Sequence, residues 1–376
     1  MGCNALSYSF LDIINEIAER HNVSIKIYIF YQGDTFDASF LCSPMISVFP
    51  AEYNPRSLGS IRRVVKRLKT CDLCFDFTAG DSFSDIYGLK GFVKSTIFKL
   101  LTIHYSKKFV LGPQTYGPYN HLFARFLAKQ VILKSNYVCS RDYISAKVVK
   151  ALCGRDIDVF TDVAFALPYT PGNLIKNDKI KVGVNVSGLL WNGGYKGDNQ
   201  FNLRMNYRDY IYTLFDNLAN DSRFQLFLIP HVIILNTGSI ENDYTASIEL
   251  IKKYPSCSIS PNFTTPIKAK SFISNMDIFI GSRMHATIAA FSSEVVTIPI
   301  SYSRKFEGLY NSIGYEYSIN ARDLTTEQAI DKTINYIENK IELINCQTKS
   351  IQIVETALLA FKQKCEGIIL NSSHRS

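Results

Sequence analysis

The chain has 376 residues, of which 47% are apolar and 20% charged, with a formal net charge of +8. That length exceeds what one hydrophobic core organises, so two domains of comparable size are expected. The charge favours small acids or an anionic membrane surface as partners; it is too modest to call for nucleic acid, no segment reads as an RNA or DNA module, and no apolar run reaches the roughly 18 residues of a membrane span.

Nine scattered cysteines, an odd number, read as reduced thiols in a cytoplasmic protein, and no signal peptide precedes the first helix. Only Cys71 and Cys74 stand close together, and without a second Cys or His pair at zinc spacing they read as structural.

Phe10, Ile13, Ile14, Ile17 and Ala18 form a helical stripe almost from the start, where a nucleotide-fold domain normally opens with a strand. The first strand is therefore expected to be missing. A strand follows over 24–30, then a helix over 58–68 with Ile61, Val64, Val65 and Leu68 inward. Its outer face carries Arg62, Arg63, Lys66, Arg67 and Lys69, which is either simply solvated or in contact with anionic lipid at the inner face of a membrane.

A strand over 73–77 ends at Thr78-Ala-Gly-Asp-Ser82, where Gly80 lets the backbone come close to a ligand and Asp81 either faces that ligand or caps the turn. Helices over 88–107, 121–134 and 143–152 alternate with strands over 109–111 and 137–139, which fits a doubly wound parallel sheet. The first lobe so defined runs over 1–167, and the proline-rich and glycine-containing stretch 168–180 reads as a linker.

The second lobe, 181–323, restarts with a strand over 181–186 and a turn at Ser187-Gly188. A strand over 224–229 ends at Pro230-His231, with Asp243 in the polar segment beyond. His231 is either a surface residue or a substrate contact at a sheet edge. Two long amphipathic helices, 325–344 and 350–364, fill the terminal segment 324–376.

The stretch Asp277–Lys305 reads as strand, turn, helix, strand. Ile278–Ile280 is an apolar run, Gly281 breaks it, Ser282 can cap a helix carrying Met284, Ile288 and Phe291, and a second strand covers 295–300. This βαβ unit puts Arg283 and His285 at the carboxyl end of a parallel sheet, where such sheets bind ligands. An anion docked at Ser282–Met284 would meet free backbone amides, a fixed cation and a group that exchanges protons near neutrality. The plainer alternative is that Arg283 pairs with a neighbouring carboxylate and His285 is a core histidine.

Gly281-Ser-Arg-Met-His-Ala286, the strand ending Ile298-Pro-Ile-Ser-Tyr302, and Lys305 resemble the C-terminal signature of the polysaccharide pyruvyl transferases. Asp76–Gly88, Gly112–Pro118 and Ser140-Arg-Asp142 are similar to that family's glycine turn, second turn and Arg-Asp pair, and Gly2-Cys-Asn-Ala-Leu to its first turn. In order and spacing the resemblance covers residues 2 to about 315.

The resemblance implies an α/β fold of two Rossmann-like lobes of the glycosyltransferase B type with a cleft between them, the terminal helices packing back on the first lobe. It implies transfer of the pyruvyl group of phosphoenolpyruvate to two hydroxyls of a sugar, in an exopolysaccharide or a lipid-linked precursor. Phosphoenolpyruvate is then a co-substrate, with no cofactor and no metal. Arg283 and His285 are the expected catalytic residues. Ser282, Arg283, Lys305, Gly80 and Asp81 are expected on the donor, and His231, Asp243, Arg141 and Asn4 at the acceptor or cleft. Two alternatives share the fold: a nucleotide-sugar glycosyltransferase, against which Ala289-Ala290 stands where those enzymes commonly carry a ribose-binding Glu, and an inactive sugar-binding relative.

Overall fold

Short apolar strands alternating with amphipathic helices build two all-parallel systems, as crossover connections of this length require. A computed structural model describes residues 2–32, 36–41, 43–86, 88–172, 178–234 and 238–373. Residues 173–177 of the expected linker lie outside the described residues. One unit comprises Leu6–Val163 with Glu355–Ser376, the other Met1–Ala5 with Ala164–Val354.

The first unit begins at Leu6 within helix α1 (Gly2–His21), which precedes strands β1 (Ile25–Tyr31) and β2 (Ile46–Glu52) and helix α2 (Leu58–Leu68). Then follow β3 (Cys74–Asp76), α3 (Leu89–Tyr105), β4 (Phe109–Gln114), α4 (Leu122–Lys134), β5 (Tyr137–Ser140), α5 (Tyr143–Cys153) and β6 (Asp158–Val159). β2 pairs with β1 in one parallel ladder and β3, β4, β5 and β6 form another, with no ladder joining β1 to β3 among the described residues. α2 packs on α3, α3 on α4 and α4 on α5, as right-handed crossovers place them. Ala124 and Ala128 let α4 lie close over Leu111 and Val138, with its own Val131 in the same cluster, all fully or almost fully buried. Residues 2–6, expected as a turn, are instead the first turn of α1, and Asn4 is exposed on it.

The second unit holds β7 (Ile180–Asn185), α6 (Gly188–Trp191), α7 (Tyr207–Ala219), β8 (Phe224–Leu228), α8 (Asp243–Lys253), β9 (Ser258–Ile259) and α9 (Pro266–Ile273). β10 (Ile278–Gly281), α10 (Met284–Phe291), β11 (Val296–Ser301), α11 (Arg304–Ser312), β12 (Ile319–Asn320) and α12 (Thr326–Glu338) complete it. The strand order is β12-β11-β10-β7-β8-β9. It reverses at β7: the chain runs outward through β8 and β9, then returns to β10 on the other side, and open parallel sheets bind ligands at the carboxyl ends of strands flanking such a reversal. α10 is almost wholly interior, with Met284 and Ala286 through Phe291 buried. The two expected terminal helices differ in extent: α12 ends at Glu338, and one continuous helix, α13 (Lys340–Ser373), follows.

Candidate active site

β7 is buried at Val182 and Val184, and its last residue, Asn185, is fully buried as well. Its side chain ties together the three central strand ends. Nδ2 donates to the Ile229 carbonyl at 3.0 Å and to Oδ2 of Asp243 at 3.3 Å, while Oδ1 accepts the Arg283 backbone N–H at 2.9 Å.

Asp243, at the start of α8, is the second tie. It is fully buried, and its carboxylate accepts backbone N–H groups from Gly188 at 2.9 Å, His231 at 3.1 Å and Val232 at 2.9 Å. Gly188 is a packing necessity here, because a Cβ would lie 2.5 Å from the Asn242 carbonyl oxygen. The expectation that Asp243 meets an acceptor is thereby corrected: its oxygens are used internally, and its role is to position others.

Arg283 takes the remaining capacity of that carboxylate. Nη2 and Nε lie 2.8 and 3.1 Å from Oδ1 of Asp243, and Nη2 also donates to the Glu241 carbonyl at 2.8 Å. Nη1 has no hydrogen-bond partner among the described residues, and the side chain is 13% exposed. Burial opposes the charge, but Asp243 outweighs it and holds the guanidinium above its ordinary range. The pairing with a neighbouring carboxylate, the plainer of the two sequence readings, is what the geometry shows.

Arg283, not Ser282, is the N-cap of α10, and it makes no side-chain cap. The Ser282 hydroxyl is buried between the Tyr207 hydroxyl at 2.6 Å and the Asn185 carbonyl at 3.3 Å. Ser282 is thus corrected from helix cap to interior brace, and only its backbone remains in the expected anion position.

His285 lies in the first turn of α10, half-buried. Gly2 stands so close that a Cβ there would fall 2.5 Å from the His285 Nδ1. His231 is 4% exposed, and neither ring nitrogen has a hydrogen-bond partner among the described residues. Burial first, and then the neighbouring His285 and Arg283, push its pKa well below the ordinary imidazole value. His231 is therefore an interior imidazole beside His285, not a surface residue. Lys305 starts α11 just beyond β11, with Nζ 5.8 Å from the Tyr302 ring.

Six expected residues, His231, Asp243, Ser282, Arg283, His285 and Lys305, thus gather at one sheet edge of the second unit. Gly80, Asp81 and Arg141 belong to the first unit. There Gly80 has φ +86°, and a Cβ on it would lie 2.9 Å from Nη1 of Arg141. Arg141 is buried, 2.5 Å from Oδ2 of Asp162 and 3.0 Å from the Thr115 hydroxyl. The expected cleft contact is corrected: the guanidinium braces the turns after β3, β4 and β5 from inside. Asp81 closes the 3-10 turn Thr78–Gly80, its backbone N–H returning to the Thr78 carbonyl.

Sequence reasoning missed Asn185, Tyr207 and Glu241. An Asn closing a buried apolar strand was the one available signal; the other two reach the site only through tertiary folding. No cluster of three or more His, Cys, Asp or Glu suited to a metal occurs among the described residues.

The family described as Polysaccharide pyruvyl transferase matches residues 2–304. No curated protein matches the chain. Among solved structures, Anabaena HepE in complex with UDP-glucose is similar with a TM-score of 0.57 and 11% identity, covering 96% of this chain and 95% of that one. An E. coli structure described as trehalose-6-phosphate bound with UDP-2-fluoro glucose gives 0.55 and 8%, covering 98% and 96%. A putative UDP-N-acetylglucosamine 2-epimerase from Listeria monocytogenes gives 0.53 and 13%, covering 86% and 84%. At these identities the likeness is one of fold, the glycosyltransferase B type of parallel α/β architecture.

Proposed function

The chain belongs to the polysaccharide pyruvyl transferase family, and from that premise we propose that it moves the pyruvyl group of phosphoenolpyruvate onto two hydroxyls of a glycan or lipid-linked sugar. Carbon 2 of the donor forms two C–O bonds and loses its bond to the phosphate oxygen. Of the two hydroxyl protons, one is accounted for at carbon 3, which becomes a methyl group, and the other leaves with inorganic phosphate.

The observation that carries this reading is Arg283 at the head of α10. Its orientation is fixed by Asp243, one nitrogen remains uncommitted, and the first-turn amides of a buried helix stand beside it. A donor with a carboxylate and a phosphate needs that combination of fixed cation and oriented amides. Lys305 at the next strand end supplies a second cation. His285, half-buried in the first turn, is the group proposed to carry the proton between hydroxyl and carbon 3. His231 keeps a neutral imidazole next to it.

No cofactor enters the scheme, since phosphoenolpyruvate is already an activated donor. The proposed setting is the cytoplasm, as the odd cysteine count suggests. The test is incubation of the protein with acceptor glycan and either phosphoenolpyruvate or UDP-glucose, with mass spectrometry of the glycan and assay of released phosphate. A pyruvate ketal with stoichiometric phosphate supports the proposal. Sugar transfer from UDP-glucose, or no product with either donor, overturns it.

A further inference from the structure

Helix α4 is apolar on two opposite sides. Ala124, Ala128, Val131 and Ile132 face inward and are fully buried, whereas Leu122, Phe123, Phe126 and Leu133 are 80, 54, 58 and 48% exposed. Leu122, Phe126, Lys129 and Leu133 follow the i, i+4, i+7, i+11 spacing and so stand in a single row. The three large apolar side chains of that row, left in water, are a standing cost, and exposed apolar patches rimmed by polar residues mark contact surfaces.

The exposed charges around this row have one sign; the nearest carboxylate, Asp85, is buried and taken up by the backbone N–H groups of Asn120 and His121. From Ile86 through Arg141 the sequence contains no Asp or Glu. Arg125, Lys129 and Lys134 are exposed on α4, and Lys90 and Lys94 on α3. On α2, further along the same layer, Arg62, Lys66 and Lys69 join Ile61, Val65 and Tyr105 around a shallow cavity of about 380 Å³. Among the described residues no carboxylate is ion-paired with these three cations.

We propose that the outer surface of α2, α3 and α4 docks on an anionic lipid bilayer, the α4 side chains entering the headgroup layer while the α2 and α3 cations meet lipid phosphates. Leu122 and Leu133 gain by leaving water for lipid and gain little from nucleic-acid bases. A second copy of the same face would bring like charges together. The docking is peripheral: no described helix is long and apolar enough to cross a membrane. The inference stands independently of the pyruvyl reading, because it uses a different surface and needs no turnover.

The experiment is co-sedimentation of the full chain with vesicles of phosphatidylcholine, with and without phosphatidylglycerol, across a salt series. Three proteins are compared: the parent, Leu122→Ser/Phe126→Ser and Arg125→Glu/Lys129→Glu. All four positions are exposed, and thermal unfolding verifies the fold of each variant. The parent is expected to sediment with the anionic vesicles, less so as salt rises, and each double variant to bind them roughly tenfold or more weakly. Equal binding by all three proteins, or no preference of the parent for phosphatidylglycerol, overturns the proposal. Self-association without vesicles that Leu122→Ser/Phe126→Ser abolishes also overturns it, by making a second copy the occupant.

Discussion

Arg283 and Asp243, 40 residues apart in sequence, share one buried ion pair in which Nε and Nη2 both reach Oδ1, at 3.1 and 2.8 Å. The same carboxylate gathers backbone amides from the ends of β7 and β8, so the pair is the joint on which the strand ends are aligned. Removing one partner leaves a buried charge uncompensated. Arg283→Ala is expected to cost about 3 to 5 kcal/mol of stability in addition to weakening donor binding. Arg283→Lys is expected to keep the charge, lose the forked contact and bind phosphoenolpyruvate at least tenfold more weakly. Calorimetry and chemical unfolding on both variants check this; donor affinity unchanged in a folded Arg283→Lys would remove Arg283 from the donor site.

His285→Gln is expected to keep the fold and most donor affinity but to lose product formation by about a hundredfold or more, the usual scale for a general acid or base. A structural histidine would show the opposite pattern, a lowered melting temperature with normal activity in the surviving folded fraction. Thermal unfolding, donor binding and ketal formation measured on one preparation distinguish the two.

His231 supplies a pH test. Its folded pKa is depressed by burial and nearby positive charge, so as pH falls below about 6.5 the unfolded chain takes up a proton that the folded one refuses. Stability present above that pH is lost as the pH falls toward the depressed folded value. His231→Asn is expected to flatten this acid limb in urea titrations between about pH 7.5 and 5.5, roughly one unit either side of the free imidazole value near 6.5. An unchanged slope would mean that the ring is hydrated rather than buried.

The βαβ reading of 277–305 located β10, α10 and β11 because a short crossover between apolar strands leaves few alternatives, and it put Arg283 and His285 at the correct end of the sheet. What the residues in a row could not disclose was who would compete for them. Ser282 has the chemistry of a cap, but Tyr207, 75 residues earlier, takes its hydroxyl. Asp243 reads as a solvated acid until Gly188, His231 and Arg283 close around it. Arg141 was legible as part of a motif and not as an interior brace, since its partner Asp162 arrives from beyond β6. Strand β2 was overlooked because Ser, Pro and Glu interrupt its apolar run. Local pattern therefore reported the elements and the edge they share, while partner choice was decided by tertiary contact.

Gly188→Ala tests the joint from its backbone side. The added Cβ meets Asn242 backbone atoms, which cannot swing aside as a side chain would. The variant is expected to lose about 1 to 3 kcal/mol, as overpacking in a tight interior does, and to lose activity beyond that loss because Asp243 shifts under Arg283. Full activity in Gly188→Ala would show that the placement of Asp243 does not govern the site.

Lys270 on α9 gives the last test, independent of catalysis. Its ammonium is buried, donates to the Leu167 carbonyl at 2.8 Å and the Phe165 carbonyl at 3.4 Å, and lies 4.8 Å from the Tyr169 ring. No carboxylate is ion-paired with it among the described residues, and burial pushes its pKa down to about 7. The unfolded value is about 10.4, so between the two the unfolded chain holds a proton that the folded chain lacks, and stability rises with pH across that window. Below about pH 7 the full cost of the buried charge is present, and above about 10.4 it is gone. Lys270→Met keeps the volume and removes the charge. Other groups titrate in the same range, so the informative quantity is the difference in unfolding free energy between parent and variant. That difference is expected to favour Lys270→Met most at pH 7 and to shrink steadily toward pH 10, within the window set by the free lysine value near 10.4. A pH-independent difference would mean that the Lys270 ammonium stays charged in the fold, stabilised by the two carbonyls and the Tyr169 ring rather than penalised by burial.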